Sequence, residues 1–474
     1  MNRRYDAVVV GAGPNGLAAA ITLARARRSV LLVEMAPTVG GGCRTAELTL
    51  PGFHHDVCST IHSFAVVSPF LTSLPLHDHG LRWVYPTHPL VHPLDDEPAV
   101  VLQRSPEATA SALGTDGPAW ERLVGYAARS WDRLAADFFR PILRIPRHPL
   151  LLSRFGLNGI GGAIGTGRKR FRGAAARALL AGCAAHAMLP LDRPFTAALG
   201  VALAASAHAG GWPVAAGGSQ ALADAMASYF RSLGGEIQTD RLVGSLAELP
   251  RASAYLLDVN PASLCDLCGE TVSIRDHNAL RRFRHGWGAF KVDYALSGPV
   301  PWSDPTVATA ATVHLGGTDE EITDAEATVG AGRVSSRPFV LVAQPSLFDP
   351  ERAPHGQHTL WAYTHVPPGF EGDALGPLES QIERFAPGFQ NVVLAKSVMT
   401  PADLARYNPN YVGGDIGGGS VGDGQLLFRP RPRFNPYRWG KGIYLCSAST
   451  PPGAGTHGMA GFNAAVSALR RELA

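Results

Sequence analysis

The chain has 474 residues, of which 46% are hydrophobic and 17% charged, and its formal net charge is +3. This length exceeds what one simple core accommodates, so we expect two domains. The small net charge argues against a nucleic-acid partner. The low charged fraction indicates either extensive buried apolar surface or a face that meets lipid or an apolar substrate.

The first segment predicts a dinucleotide-binding βαβ unit. The apolar run from Ala7 to Val10 is typical of a buried parallel strand, and Gly-x-Gly-x-x-Gly then leads into an Ala- and Leu-rich helix over 17–26. Such glycines allow a tight turn and close approach of a pyrophosphate to the helix N-terminus. A second strand over 30–33 ends at Glu34, the spacing of a ribose-binding carboxylate. The alternative is a glycine-rich turn without a ligand. The predicted cofactor contacts are Gly11, Gly13, Pro14, Asn15, Gly16, Glu34 and Met35.

A second glycine-rich segment, residues 40–45, favours FAD over NAD. Flavoproteins of the glutathione-reductase structural class often carry a Gly-Gly-x-x-Arg-Thr segment here, and nicotinamide domains do not need it. A glycine turn lets backbone approach the cofactor, and the guanidinium of Arg44 can fork onto phosphate oxygens. The predicted contacts from this segment are Gly41, Gly42, Arg44 and Thr45.

The region from 105 to 170 combines helical periodicity with an unusual apolar stretch. Apolar residues recur at helical spacing over 105–139. Residues 138–152 are apolar, with prolines and spaced arginines. We interpret them as core, and the alternative is an entrance or lid that touches a membrane or a lipidic substrate. Gly159–Gly167 misses the dinucleotide spacing and predicts a mobile or tightly turning loop.

No segment predicts a signal peptide or a membrane span. The N-terminus enters the first strand within a few residues, which favours a cytoplasmic protein. The longest uncharged stretch, between Arg193 and Asp224, is rich in alanine and interrupted by glycine and proline. We therefore expect a cytoplasmic location without a transmembrane span, and peripheral membrane contact stays open as an alternative.

The second half of the chain returns to an α/β pattern and then favours strands. A helix after Gly217-Gly218-Ser219 and strands over 236–243 and 254–259 continue the cofactor domain, whereas strands between 285 and 425 suggest an antiparallel substrate domain. We predict an α/β fold in which a discontinuous Rossmann-like FAD-binding domain of the glutathione-reductase type carries an inserted substrate domain of mixed or antiparallel sheet plus helices. The FAD-binding domain takes 1–70, 211–262 and 425–474; the substrate domain takes 71–210 and 263–424.

Cysteine and histidine patterns predict no metal site. Cys265-x-x-Cys268 has no second pair to complete a zinc site and is interpreted as a reduced structural pair. The histidines between 77 and 92 fit no common ligand spacing. Cys446 lies within a predicted strand, so we expect FAD to bind without a covalent link.

With residues 443–461 in view, the chain resembles the phytoene desaturase-type flavoproteins, within the amine-oxidase-like FAD superfamily, and in particular their less characterised bacterial branch. The resemblance implies a second FAD signature in this block and an apolar contact to adenine from Val243. Relatives often carry Gly-Asp where this chain has Ser447-Ala448. The contacts implied are Ser447, Ala448, Gly455, Thr456, His457, Gly458 and Met459.

The resemblance implies an FAD-dependent oxidoreductase that acts on an apolar organic substrate. Desaturation, saturation or isomerisation of a polyene or lipid-like molecule would proceed by hydride transfer at flavin N5. The alternatives are an amine oxidase that uses dioxygen and a non-catalytic FAD-binding scaffold. Lys291 is the one catalytic candidate: in related amine oxidases a strand lysine approaches N5 through a water. Strand alternation puts Lys291 on the face of Ala289 and Asp293, and the competing interpretation is a solvent-facing lysine.

Overall fold

A computed structural model of the chain describes residues 4–95 and 97–474. Within these ranges, no helix is both long and apolar enough to cross a membrane. Two large sheets and a group of helices form the molecule.

Within the described ranges, the strands are two to nine residues long. In chain order they are β1 Tyr5–Val10, β2 Val30–Val33, β3 Thr45–Glu47, β4 His54–Asp56, β5 Trp83–Val84, β6 His88–His92, β7 Val100–Leu102, β8 Val214–Ala215, β9 Glu236–Gln238, β10 Ala252–Leu257, β11 Gly288–Leu296, β12 Ala310–Leu315, β13 Val340–Ala343, β14 His358–Val366, β15 Val393–Met399, β16 Arg438–Gly440 and β17 Ile443–Leu445.

The helices lie mainly in the first half of the chain and at its end. They are α1 Pro14–Arg25, α2 Pro106–Ala112, α3 Gly117–Trp120, α4 Tyr126–Arg129, α5 Trp131–Phe138, α6 Pro149–Gly159, α7 Ala163–Arg170, α8 Ala174–Ala185, α9 Thr196–Gly210, α10 Gln220–Ser232, α11 Pro261–Cys268, α12 Ile274–Arg281, α13 Asp319–Gly330, α14 Leu375–Phe385, α15 Pro401–Tyr407, α16 Gln425–Phe428 and α17 Met459–Leu469.

The first sheet has six strands in the order β16-β17-β10-β1-β2-β9. All neighbours are parallel except β16 and β17. Its strands come from three separate stretches, 5–33, 236–257 and 438–445. Helices α1, α10 and α17 cover one face, and the inner strands β1, β2 and β17 are almost entirely buried and mainly apolar, whereas the edge strands β9 and β16 are partly exposed. This is the predicted Rossmann-like arrangement.

The second sheet has seven strands in the order β15-β11-β14-β13-β12-β6-β7. Its pairs are antiparallel except for β6 and β12, which run parallel. On β11, Phe290, Val292 and Tyr294 enter the apolar core beneath α14, as the alternation of the sequence predicted. The predicted α/β fold with a mixed second sheet is therefore confirmed.

The helical pattern predicted over 105–139 is confirmed: this stretch forms α2 to α5, with a π-helical turn at Glu121–Gly125. One prediction of local structure in the helical region was wrong. The predicted loop at Gly159–Gly167 contains the start of α7 instead. The glycines lower the helix propensity of this segment, but tertiary contacts hold it in a helix. Thr196 Oγ1 accepts a hydrogen bond from the Ala163 amide at 2.9 Å, and α7 packs on α8.

Two further element boundaries depend on tertiary contacts. The strand predicted over 236–243 ends at Gln238, because the chain turns at Asp240 (φ +54°) and the Arg241 amide donates to the Glu34 carbonyl at 2.9 Å. This turn brings Val243 beside the end of β2. The last helix begins at Met459 rather than near Phe462, after Gly458 with φ +67°.

Candidate functional site

One elongated cavity of about 680 Å³ lies between the two large sheets. Its outer end is lined by the carboxyl ends of β1, β2 and β10, and its inner end by β11 and β14 of the second sheet. In open α/β sheets, ligands bind outside the carboxyl ends of the strands. The volume lies within the range of small-molecule and cofactor sites.

The glycine turns at the outer end leave backbone open to a ligand. Gly11 has φ +94°, and a Cβ there would lie 2.9 Å from the Asp258 carbonyl oxygen. Gly41 has φ +54°, and a Cβ there would lie 3.0 Å from the Gly13 Cα. The two turns therefore touch, with the N-terminus of α1 between them. Exposed amides and a helix N-terminus are suited to phosphate oxygens.

Glu34 occupies the end of β2 with its carboxylate held in place. Its Oε2 accepts the Ala12 amide at 2.7 Å and its Oε1 the Ala36 amide at 3.0 Å. The Arg44 guanidinium lies 3.2 Å from Oε1 and also donates to the Thr38 carbonyl at 2.7 Å. Each carboxylate oxygen has two lone pairs, so Oε2 retains one for a ribose hydroxyl. The sequence predicts that Arg44 contacts phosphate oxygens, and in the structure its guanidinium forms an ion pair with Glu34.

Asp258 is a buried carboxyl group of the site that sequence reasoning missed. It follows β10, and its Oδ2 accepts the Gly16 amide at 2.9 Å. Burial raises the pKa of Asp258 to about 7, the Gly16 hydrogen bond opposes this, and the Glu34 carboxylate adds to it. The Asp258 carboxyl at the N-terminus of α1 therefore lies in an environment that favours its protonated form. No local sequence pattern indicates this contact, because Gly16 and Asp258 lie 242 residues apart.

Most of the predicted cofactor residues line this one cavity. Those that do are Gly11, Gly13, Pro14, Asn15, Glu34, Met35, Gly41, Gly42, Arg44, Val243, Ser447, Ala448, Gly455 and Thr456. The structure brings these residues together from three distant stretches of the chain, 11–44, 243 and 447–456.

Five predicted residues lie behind the cavity wall. Gly16 is needed for packing, because a Cβ there would lie 1.8 Å from the Gly11 carbonyl oxygen. His457 accepts the Met459 amide on Nδ1 at 3.0 Å and so caps the helix α17. Gly458, with its positive φ, lies against Ala18.

Thr45, the fifth, belongs to a buried polar network around Asp56. The Asp56 carboxylate accepts hydrogen bonds from Thr45 Oγ1 at 2.7 Å and from the Ser219 amide at 2.7 Å, and pairs with Arg352 at 3.1 Å. Burial opposes ionisation, but the Arg352 guanidinium and these hydrogen bonds hold the pKa of Asp56 below its usual value. This network ties β4, the start of α10 and residue 352 together.

Lys291 lies at the inner end of the cavity, on β11. Its side chain is 3% exposed and forms an ion pair with Asp293, which is fully buried. The solvent-facing interpretation of Lys291 is therefore wrong, whereas its predicted face, shared with Ala289, is correct. Burial raises the pKa of Asp293 to about 6, and the adjacent Lys291 ammonium limits the rise. Neighbouring His55 Nδ1 lies 3.7 Å from Asp293 Oδ1.

The inner end is otherwise aromatic and apolar. The rings of Trp361 and Tyr363 meet edge to face at 5.0 Å, and the Lys291 Nζ lies 6.0 Å from the Trp361 ring. His186, also on the wall, has its Nε2 3.0 Å from the Nε2 of His314. Burial lowers the pKa of His186 to about 3, so the imidazole is neutral. This chamber can hold a flat apolar molecule beside one buried cation.

Cys43 and Cys58 line the cavity. Among the described residues, no group of three or more His, Cys, Asp or Glu side chains could hold a metal ion. Cys446 directly follows β17 and is fully buried. Burial raises its pKa well above the usual value, and the nearby Asp258 carboxyl adds to this.

Comparisons with known proteins agree with this fold. Residues 9–74 match the family model described as NAD(P)-binding Rossmann-like domain. The chain is 27% identical to pyridine nucleotide-disulfide oxidoreductase domain-containing protein 2 of Mus musculus, over 97% of this chain and 92% of that protein.

Among solved structures, the chain is similar to an oxidoreductase from Methanosarcina mazei and to putrescine oxidase bound to putrescine. The first has 16% identity and a TM-score of 0.63, over 99% of this chain and 100% of that chain. The second has 17% identity and a TM-score of 0.62, with the same coverage. At these identities the likeness shows the fold alone, which this chain shares with both proteins.

Proposed function

We propose that this chain is an FAD-dependent oxidoreductase that desaturates, saturates or isomerises an apolar polyene or lipid-like substrate, as its resemblance to phytoene desaturases implies. The observation that carries the proposal is the continuity of the cavity from the glycine turns and Glu34 to the chamber at Trp361. A flavin dinucleotide needs open backbone for its phosphates and an enclosed chamber for its reactive ring. The residues present meet both needs.

Each end of the cavity would have a separate task. Gly13 and Gly41 would admit the pyrophosphate, Glu34 would accept a ribose hydroxyl, and Met35 and Val243 would border the adenine. The C-terminal block at residues 447–456 would border the ring. When bound, FAD supplies a centre that accepts or donates a hydride. We assign 1–70, 211–262 and 425–474 to cofactor binding, and 71–210 and 263–424 to the substrate.

Lys291 is the residue proposed to act on the reaction. It would hold a positive charge at the wall of the substrate chamber and stabilise negative charge that develops there. Its ion pair with Asp293 keeps the ammonium in place, because neither group has another oppositely charged partner as close among the described residues.

Amine oxidation is the second candidate function. Trp361 and Tyr363 could attract a cationic amine through their ring faces, which is the observation in favour of it. Lys291 does not separate the two candidates, because related amine oxidases carry a strand lysine as well and its ammonium is paired with Asp293 here. We place the apolar substrate first because of the resemblance to phytoene desaturases.

Anaerobic reduction of the purified yellow protein by a panel of polyenes, lipids and amines tests the proposal. We expect a polyene to bleach the flavin absorbance and acid precipitation to release FAD into the supernatant. Bleaching by an amine, with peroxide release in air, would establish the amine oxidase instead. Bound FAD that no member of the panel reduces would indicate a non-catalytic scaffold.

A further inference from the structure

One short region carries a concentration of exposed aliphatic side chains. Between residues 142 and 160, Ile145, Leu150 and Leu157 are 93%, 87% and 80% exposed, and Ile142 and Ile160 are more than half exposed. The region comprises a loop after α5 and the helix α6. Single exposed aliphatic side chains are normal on a surface, whereas a cluster marks an interaction site.

The same region is basic and has few carboxylate neighbours. The sequence contains no acidic residue between Asp137 and Asp192. Arg140, Arg144 and Arg147 form no ion pair with a carboxylate of the described chain within 4.0 Å, and burial together with the other two guanidinium groups lowers the pKa of Arg140. Such crowding of unpaired positive charge is complementary to an anionic surface.

The loop is held in position by local contacts. The Asp137 carboxylate accepts the amides of Arg147 and His148 at 2.7 and 2.8 Å, immediately before Pro149 begins α6. On α6, Leu150 and Leu157 lie two turns apart on the outer face, with the exposed Arg154 between them. The buried Phe155 faces inward. The aliphatic side chains are therefore presented outward by a fixed scaffold.

Aromatic contacts connect this region to the cavity. The ring of Phe155 lies 6.0 Å from that of Phe138, which lies 6.1 Å from that of Phe64. Phe64 lines the cavity. The region is therefore joined to the cavity wall by packed aromatic side chains.

We infer that residues 140–160, here called the arginine–leucine surface, dock the protein on a bilayer that contains anionic lipid. Aliphatic side chains that alternate with guanidinium groups suit the boundary between acyl chains and headgroups. There the aliphatic groups can contact acyl chains while the guanidinium groups remain among the anionic headgroups. A protein partner would need acidic side chains at matching positions, whereas an anionic leaflet presents negative charge everywhere. This inference does not depend on the proposed chemistry.

Vesicle sedimentation tests the inference on the FAD-loaded full chain. We expect binding to vesicles of phosphatidylcholine with phosphatidylserine, weakened by salt, and much weaker binding to phosphatidylcholine alone. Ile145→Ser and Leu157→Ser should each reduce partitioning about tenfold, and Arg147→Gln about fivefold. The matched controls are Ile274→Ser, at a residue 82% exposed on α12, and Arg333→Gln, at another exposed arginine; both should bind as the wild type does.

The variants change exposed side chains, so FAD content and thermal unfolding should match those of the wild type. Equal vesicle binding by wild type and the Ile145 and Leu157 variants would overturn the inference, as would the absence of binding to both kinds of vesicle. Concentration-dependent self-association that the same variants abolish, without vesicle binding, would show that a second copy of the chain covers this surface instead.

Discussion

At the scale of single residues, several buried charged groups lie at the site. Glu34, Asp258 and the Lys291–Asp293 pair all lie at the cavity wall or directly behind it. A buried charge is costly unless it is paired or hydrogen-bonded, and each of these groups has such a partner. Perturbed carboxyl groups in a cleft are typical of functional sites.

Glu34→Ala should weaken FAD binding. The substitution removes charge-assisted hydrogen bonds to the ribose, each worth roughly 1.5–3 kcal/mol, and it also releases Arg44. Glu34→Gln keeps the shape and one acceptor and should have a smaller effect. Flavin occupancy after dialysis measures both variants. Unchanged occupancy in the alanine variant would show that Glu34 does not bind the ribose.

Lys291→Met should slow flavin reduction or reoxidation at least tenfold, about 1.4 kcal/mol in barrier, with FAD still bound. The reason is the loss of the only ammonium described at the chamber wall. Lys396→Met, on the neighbouring strand β15 and paired with Glu379, is the matched control and should have no effect. Stopped-flow traces that overlay the wild type in both half-reactions would leave Lys291 as a structural residue.

At the scale of elements, the cofactor end depends on how closely α1 is packed. Gly16 meets the Gly11 carbonyl, and on the other side Gly461 of α17 meets α1: a Cβ at Gly461 would lie 1.8 Å from the Asn15 carbonyl oxygen. Glycines at these two places permit backbone contact on both sides of the helix. The position of the phosphate-binding turn therefore depends on a helix more than 440 residues away in sequence.

Gly461→Ala should lower the free energy of unfolding by about 1–3 kcal/mol, because the methyl group forces α1 and α17 apart. Gly156→Ala is the control: it also lies inside a helix, but nothing lies within 4 Å of its Cβ. This control should stabilise the protein by roughly 0.5–1 kcal/mol, through helix propensity. The free energies of unfolding of the two variants are compared by urea denaturation. Equal urea midpoints for Gly461→Ala and Gly156→Ala would contradict close packing of α1 and α17.

At the scale of the whole molecule, buried neutral histidines dominate the expected response to acid. Burial is the main cause that lowers their pKa values, to about 3 for His55 and His186 and to about 4 for His62, His92, His208 and His457. In the unfolded chain a histidine titrates near pH 6.5. Their contribution to stability is therefore complete above about pH 6.5 and is lost as the pH falls toward these folded values.

The unfolding temperature should thus fall as the pH is lowered from about 6.5 to 5. The raised pKa values of Asp258 and Asp293 act in the opposite direction, since the folded state retains their protons, but fewer groups contribute. His208→Gln keeps an acceptor for Trp120 and should flatten the profile. The exposed His77→Gln should leave it unchanged. A wild-type unfolding temperature that does not change between about pH 6.5 and 5 would contradict the conclusion that these buried histidines are neutral in the folded protein.

Sequence alone was enough to predict the strand–turn–helix at the N-terminus, the buried strands β1 and β2 and the face of Lys291, each of which follows from interactions within one element or between elements adjacent in the chain. The return of the α/β pattern near the middle of the chain predicted a discontinuous first sheet, but the pairing itself joins β1 to β10 and β2 to β9, which are distant in sequence. A turn that needs glycine, a strand with period two and a carboxylate at the end of β2 are decided by local geometry. Most of the cofactor residues predicted from these signals and from the resemblance line the cavity.

Which of the predicted cofactor residues face the cavity and which lie behind it depends on the tertiary fold. It placed Thr45 beside Asp56, made Gly16 a packing residue, turned Gly159–Gly167 partly into helix, and brought Asp258 to the glycine turn. It also buried Lys291 and left Ile145 exposed. The physical reason is common to all: burial and long-range hydrogen bonds depend on partners far away in sequence, and no local pattern encodes which partner will arrive.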